Sequence, residues 1–239
     1  MQKGDFVKIE FTGRVEPTGE IFDLTDEELA KKEGIHNPKH RYGPVLVVVG
    51  EGMVVPGVDK ELEKMKPGEE KEFSLGPKEA FGQRNVKLIK IVSMSNFIKQ
   101  NINPTPGTFV NINGRQAKVQ SVSGGRVRVD FNHPLANREV KYKVRITEEI
   151  RDPLKKAMEL MDYYGIKADV SLEGTKASVK TETPMPDVVK KLMESKLKEW
   201  VKEIKSVEFS SDKKKESENQ GNQNQADKPS PESHTEGKE

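Results

Sequence analysis

The chain has 239 residues, 33% of them hydrophobic and 33% charged, with 41 basic and 39 acidic side chains giving a net charge of +2. That near balance argues against a dedicated nucleic-acid or membrane-surface binder. The absence of cysteine excludes disulfides, thiol nucleophiles and cysteine-type zinc sites.

Met1 to Asp5 leads straight into an alternating strand, without the apolar core of a secretory signal. No apolar run reaches the roughly 18 residues of a membrane-spanning helix. A cytoplasmic protein with no membrane and no nucleic-acid partner is therefore expected. Val7, Ile9 and Phe11 alternate with Lys8, Glu10 and Thr12, the period of a half-buried strand. Thr25 to Gly34 holds a short helical patch. Val45 to Val49 is wholly apolar and closed by Gly50, as in a strand covered on both faces. After Pro56-Gly57, Val58, Leu62 and Met65 mark one face of a helix, ended by Lys66-Pro67-Gly68. Lys71 to Leu75 reads as another strand. Residues 86–131 differ in texture: a short helix over Ser93 to Gln100, then three β runs punctuated by the hairpin signals Asn113-Gly114 and Gly124-Gly125. Val140, Tyr142, Val144 and Ile146 form the clearest strand. From Asp152-Pro153 a capped helix begins, with Leu154, Ala157, Met158 and Met161 in a stripe. Two strands flank Glu173-Gly174, a second helix follows Pro186, and Ser206 to Phe209 reads as an edge strand. This unit is small for a core that stands alone, which leaves a homodimer through it open. Ser210 to Glu239 lacks aromatics and is rich in Lys, Glu, Asn and Ser, so a disordered tail is expected.

No constellation points to covalent, metal or cofactor chemistry. His36, His40, His133 and His234 are scattered. His36 and His40 share a loop and read as solvated rather than as metal ligands. Adjacent acids such as Glu27-Glu28 and Glu69-Glu70 read as wet faces rather than acid/base pairs.

Four motifs in order carry more. They are Phe11-Thr12-Gly13; Phe22-Asp23; the run Val49-Gly50-Glu51-Gly52-Met53-Val54-Val55-Pro56-Gly57-Val58; and Ala80-Phe81-Gly82, answered after the insert by Asn132-His133-Pro134-Leu135-Ala136. The ordered set resembles the FKBP-type peptidyl-prolyl cis/trans isomerases, over residues 1–85 and 132–150. An insertion after Ala-Phe-Gly that returns at Asn-His-Pro-Leu-Ala is similar to the SlyD-like branch, and the extra C-terminal unit to long archaeal-type members.

The resemblance implies an α+β fold: an antiparallel half-barrel around a short helix, with an inserted chaperone domain (86–131) and a C-terminal α+β domain (151–209). It assigns Asp23, Phe81 and Tyr142 to catalysis, and Phe11, Phe22, Val54, Val55, Val58 and Leu135 to substrate binding. Ile91, Met94, Phe97 and Phe109 would line a chaperone groove. Implied partners are unfolded or partly folded proline-containing polypeptides, with no metal and no cofactor. The bland reading of any one of these aromatics is core. Two positions depart from well-known members: Val58 stands where they have a floor tryptophan, and Phe81 where they have a tyrosine hydroxyl. A binding-only chaperone, and a dimeric scaffold or ribosome-associated adaptor, are the alternatives.

Overall fold

The computed structural model describes residues 1–212. Strand β1 (Phe6–Val15) is the spine of the first sheet. Along its whole length it pairs antiparallel with β9 (Val140–Ile150). Its first half also pairs with β3 (Val45–Val48) and its second half with β2 (Ile21–Leu24). β4 (Glu70–Leu75) completes the sheet on the far side of β9. Helix α1 (Glu27–Lys32) starts from Asp26, whose side chain caps the Leu29 amide. Helix α2 (Pro56–Lys64) opens on proline at its first turn. It buries Val58, Leu62 and Met65 against the sheet at no more than 2% exposure.

Between β4 and β9 lies a second sheet with its own core. Its strands are β5 (Ile89–Ser93), β6 (Phe109–Ile112), β7 (Arg115–Ser123) and β8 (Arg126–Asp130), in the order β5-β8-β7-β6. Helix α3 (Met94–Lys99) inserts Phe97 among Val110, Ala117, Val119, Val127 and Val129. Asn113 and Gly114 both have positive φ, 51° and 77°, which the β6–β7 turn demands. Two chain segments join this sheet to the first, and they are tied side to side. Arg84 is ion-paired with Asp130, and the Asn85 amide donates to Asn132 Oδ1 at 2.8 Å.

The third sheet contains β10 (Ala168–Glu173), β11 (Lys176–Thr181) and β12 (Ser206–Ser211), covered by α4 (Pro153–Tyr163) and α5 (Asp187–Trp200). β11 and β12 run parallel, which requires the crossover that α5 provides. Strand β12 runs two residues beyond Phe209, so Ser210 and Ser211 are strand, not tail. The rest of the expected tail, residues 213–239 with His234, lies outside the described residues.

Much of the apolar surface of α4 and α5 finds its cover within the same chain, but Met158 of the expected α4 stripe stays 49% exposed. Period-2 alternation sends Phe6, Leu46 and Val48 to one side of the first sheet. There they share a core with Ala157, Leu160, Met161, Met193, Leu197 and Trp200. Val7, Ile9, Val47 and Val49 face the opposite way and join Val58, Leu62 and Met65. The wholly apolar run in β3 thus reflects two cores, one on each face. Trp200 Nε1 donates to Glu51 Oε2 at 3.1 Å, a polar tie across the same junction. On α5, Leu192 is 46% exposed. No helix among the described residues is long and apolar enough to cross a membrane.

Candidate active site

The concave side of the first sheet and the start of α2 enclose a hollow of about 460 Å³. Phe11 and Tyr142 reach it from β1 and β9, Asp23 from β2, and Val54 and Val55 from the loop before α2. Val58 lies beneath and Phe81 follows β4. Of the nine residues expected at the site, these seven line the hollow. Phe22 stands behind the lining. Its ring meets Phe81 edge-on at 5.4 Å between centroids and Tyr142 at 5.6 Å, so it buttresses two walls. Phe73 supports Tyr142 from the other side, at 6.4 Å. Leu135 is partly buried on the return loop and is not among the residues lining the hollow. From that loop it is instead His133 that approaches, its ring stacked parallel on Phe81 at 4.6 Å.

Local chemistry explains the motifs. A Cβ at Gly13 would lie 2.5 Å from Phe22 Cζ, so the glycine makes room for that ring. A Cβ at Gly57 would lie 2.4 Å from Leu75 Cδ2, so α2 can start close against β4 only with glycine there. Thr25 Oγ1 accepts from the Phe11 amide at 2.9 Å, tying the end of β2 to β1 beside the hollow. One residue that sequence reasoning missed is Asp59. It is buried at 8% exposure, and its carboxylate accepts from the Gly50 amide at 2.8 Å and the Gly52 amide at 3.2 Å. This clamp fixes the loop that presents Val54 and Val55. An aspartate in a run of charged helix residues reads as solvated, and only the two glycines upstream hint at a buried acceptor.

The electrostatics of the hollow are those of a greasy site with one polar corner. Burial pushes the Asp23 carboxyl above the ordinary carboxylate range. The positive side of His40 and the Leu24 backbone N–H partly offset that shift. The Tyr142 phenol is pushed up to about 12, by burial first and then by the charge of Asp23. It therefore keeps its proton and can donate to a bound carbonyl. His36 and His40 both pack on Tyr42, at 5.3 and 4.7 Å between centroids. Among the described residues no group of three or more His, Cys, Asp or Glu side chains is placed to hold a metal.

The family model for the FKBP-type peptidyl-prolyl cis-trans isomerase matches residues 1–98, and that for the FKBP26 IF domain matches residues 90–135. A short-type peptidyl-prolyl cis-trans isomerase of Methanocaldococcus jannaschii is 31% identical over 148 residues, covering 62% of this chain and 93% of that protein. The chain belongs to the FKBP-type isomerase family. A probable FKBP-type 16 kDa isomerase of Pseudomonas fluorescens is 31% identical over 110 residues, 44% of this chain and 72% of that one. Within the family the SlyD-like branch is supported by the SlyD isomerase of Treponema pallidum, 29% identical over 144 residues, 59% of this chain and 73% of that one. In this FKBP-type chain Val58 lines the hollow at 2% exposure. The phenylalanine at position 81 lacks a hydroxyl but gains a flat partner in His133.

The four residues expected to share a chaperone groove are not brought together. Phe97 is 2% exposed and fills the insert's own core, because α3 turns it inward. Met94 packs partly against that core. Ile91 and Phe109 are 69% and 48% exposed, but they stand on β5 and β6, the two opposite edges of the sheet.

Proposed function

We propose that this cleft accelerates rotation about X-Pro bonds and that the inserted sheet holds unfolded chain beside it. The observation that carries the first part is a hollow walled by Phe11, Val55, Phe81 and Tyr142, floored by Val58, with Asp23 as the charged member among its described lining residues. An X-Pro amide resists rotation because conjugation stiffens it, with a barrier of about 18–20 kcal/mol. Twisting removes that conjugation and with it part of the charge on oxygen. An apolar cleft solvates the twisted amide better, relative to the planar one, than water does, which is differential binding of the transition state. A thousandfold acceleration asks for roughly 4 kcal/mol, and needs no nucleophile. The Tyr142 hydroxyl, protonated at neutral pH, is a donor to a carbonyl of the bound peptide. Asp23, held in a low-dielectric corner, is an acceptor for a peptide N–H or a countercharge to the rotating dipole.

The isomerase unit in this reading comprises residues 1–85 and 132–150. Residues 86–131 form the inserted module and 151–209 the C-terminal unit. Support for the holding role comes from Val86, Ile91, Ile98 and Phe109, which are 76%, 69%, 67% and 48% exposed. Apolar side chains left exposed at several places on the module offer contacts to unfolded segments. The edge strands β5 and β6 suit main-chain pairing with extended peptide. Tethering raises the local concentration of held chain at the cleft. Deleting residues 86–131 tests the division of labour. Turnover of a short X-Pro peptide should be kept, whereas suppression of aggregation of a heat-unfolded protein should vanish. Equal loss of both in a folded deletion variant refutes it. Met158, Val188 and Leu192, exposed on α4 and α5, favour self-association through the C-terminal unit. Sedimentation of a Val188→Asp variant tests that: an oligomeric state the same as the parent's refutes it.

A further inference from the structure

Part of the hollow's wall comes from outside the isomerase unit. Tyr163, the last residue of α4, lines it together with Leu46 of β3 and Met53 of the third motif. Leu46 and Val47 are neighbours whose side chains leave β3 on opposite faces, yet both line the same hollow. The hollow thus touches residues from both faces of β3. Its volume of about 460 Å³ is several times what one five-membered ring displaces. We propose that Leu46, Met53 and Tyr163 form a second, apolar subsite that seats the side chain of a residue flanking the substrate proline.

This rests on the reading of the cleft as a prolyl site, and adds a specificity determinant drawn from the C-terminal unit. The wall is held in place. Asp162, beside Tyr163, accepts from Arg41 at 2.6 Å, which pins the end of α4 to the loop carrying His40. Lys8 of β1 pairs with Glu159 at 2.6 Å. Leu160 and Met161 are at most 1% exposed in the core shared with Leu46 and Val48. Met53 Sδ accepts from the Val48 amide at 3.2 Å, which keeps its thioether against β3. Tyr163 packs edge-on against Tyr164 at 5.2 Å, and 47% of it stays exposed. A ring so exposed leaves a face for a substrate side chain, and Met53 lines the same hollow.

The test uses the full chain and two series of short peptides, with Ala, Leu or Phe placed before the proline in one and after it in the other. Both kcat/KM for isomerisation and Kd by fluorescence polarisation are measured. The parent protein should favour Leu and Phe over Ala in one of the two series. Tyr163→Ala should reduce that preference about three- to tenfold, the range of one aromatic contact, and Tyr163→Phe should retain it. Preferences in kcat/KM and Kd that Tyr163→Ala leaves unchanged in both series overturn the subsite. Absence of turnover on every peptide with the parent protein refutes the isomerase reading instead, and the Kd ratios still decide whether the subsite exists.

Discussion

Gly13→Ala is a sharp probe of how the cleft wall is built. Gly13 is a strand residue of β1, and no positive φ holds it to glycine. On backbone grounds alone, alanine there should stabilise the protein by about 0.4–1 kcal/mol, through the unfolded chain. The added methyl would meet Phe22 Cζ at 2.5 Å, about 0.9 Å short of the 3.4 Å at which ordinary contact begins. The ring has no simple retreat, because Phe81 and Tyr142 hold it edge-on within 5.4 and 5.6 Å. Overpacking of this kind costs about 1–3 kcal/mol, which reverses the sign of the glycine effect. A wall displaced by about 1 Å should lower kcat/KM for an X-Pro peptide by one to two orders of magnitude. Thermal unfolding and a protease-coupled isomerisation assay read the two effects, and a cycle with Phe22→Leu isolates their origin. In the Gly13→Ala/Phe22→Leu double variant the smaller side chain should recover much of the lost stability. A Gly13→Ala protein as stable and as active as its parent, or strict additivity in the cycle, refutes this account of the wall.

Three further outcomes follow from the same packing. Burial raises the folded-state pKa of Asp23, so the native state favours the protonated carboxyl. That stability is present at acid pH and is lost as pH rises through the raised value. Asp23→Asn should therefore melt higher than the parent near pH 7, with the gain gone below the ordinary carboxylate range, while its kcat/KM falls. Melting curves of both proteins across pH 3–8 check the sign, and a gain that grows toward acid contradicts it. Asp59→Ala removes the side-chain acceptor of two partly buried amides and should cost about 1.5–3 kcal/mol by denaturant unfolding. A loss within 0.5 kcal/mol, about the usual surface effect, excludes the clamp. Leu160→Ala should cost about 2–5 kcal/mol and also speed hydrogen exchange at Leu46 and Val48, which share its core. Faster exchange confined to residues beyond Ile150 refutes the shared core.

Where local periodicity decides, the sequence was readable. Val58, Leu62 and Met65 mark the buried face of α2 because a helix repeats every 3.6 residues. Asn113-Gly114 marks a hairpin because few residues tolerate positive φ. The ordered motifs placed Phe11, Asp23, Val54, Val55, Val58, Phe81 and Tyr142 around one hollow, and that is where the fold brings them. What escaped was set by distant partners. Tyr163 ends a helix in another unit, and nothing within its own segment marks it as facing the cleft. Leu46 and Val48 are apolar for the sake of α4, which begins over a hundred residues downstream. Phe97 and Ile98 are adjacent and equally greasy, yet α3 buries one and exposes the other. Only the helix phase against its sheet separates them. Leu135 lies on a loop, where no period fixes direction, and His133 two residues earlier takes the contact with Phe81.

The most direct test of the cleft is exchange spectroscopy on a short X-Pro peptide with the protein present at a small fraction of the peptide concentration. Cross-peaks between the cis and trans proline resonances should appear within a second of mixing, whereas the free peptide needs about tens to hundreds of seconds. They should weaken strongly with Phe81→Ala. Peptide resonances that shift on binding yet show no exchange between the two isomers would contradict the isomerase account, and leave a groove that only holds.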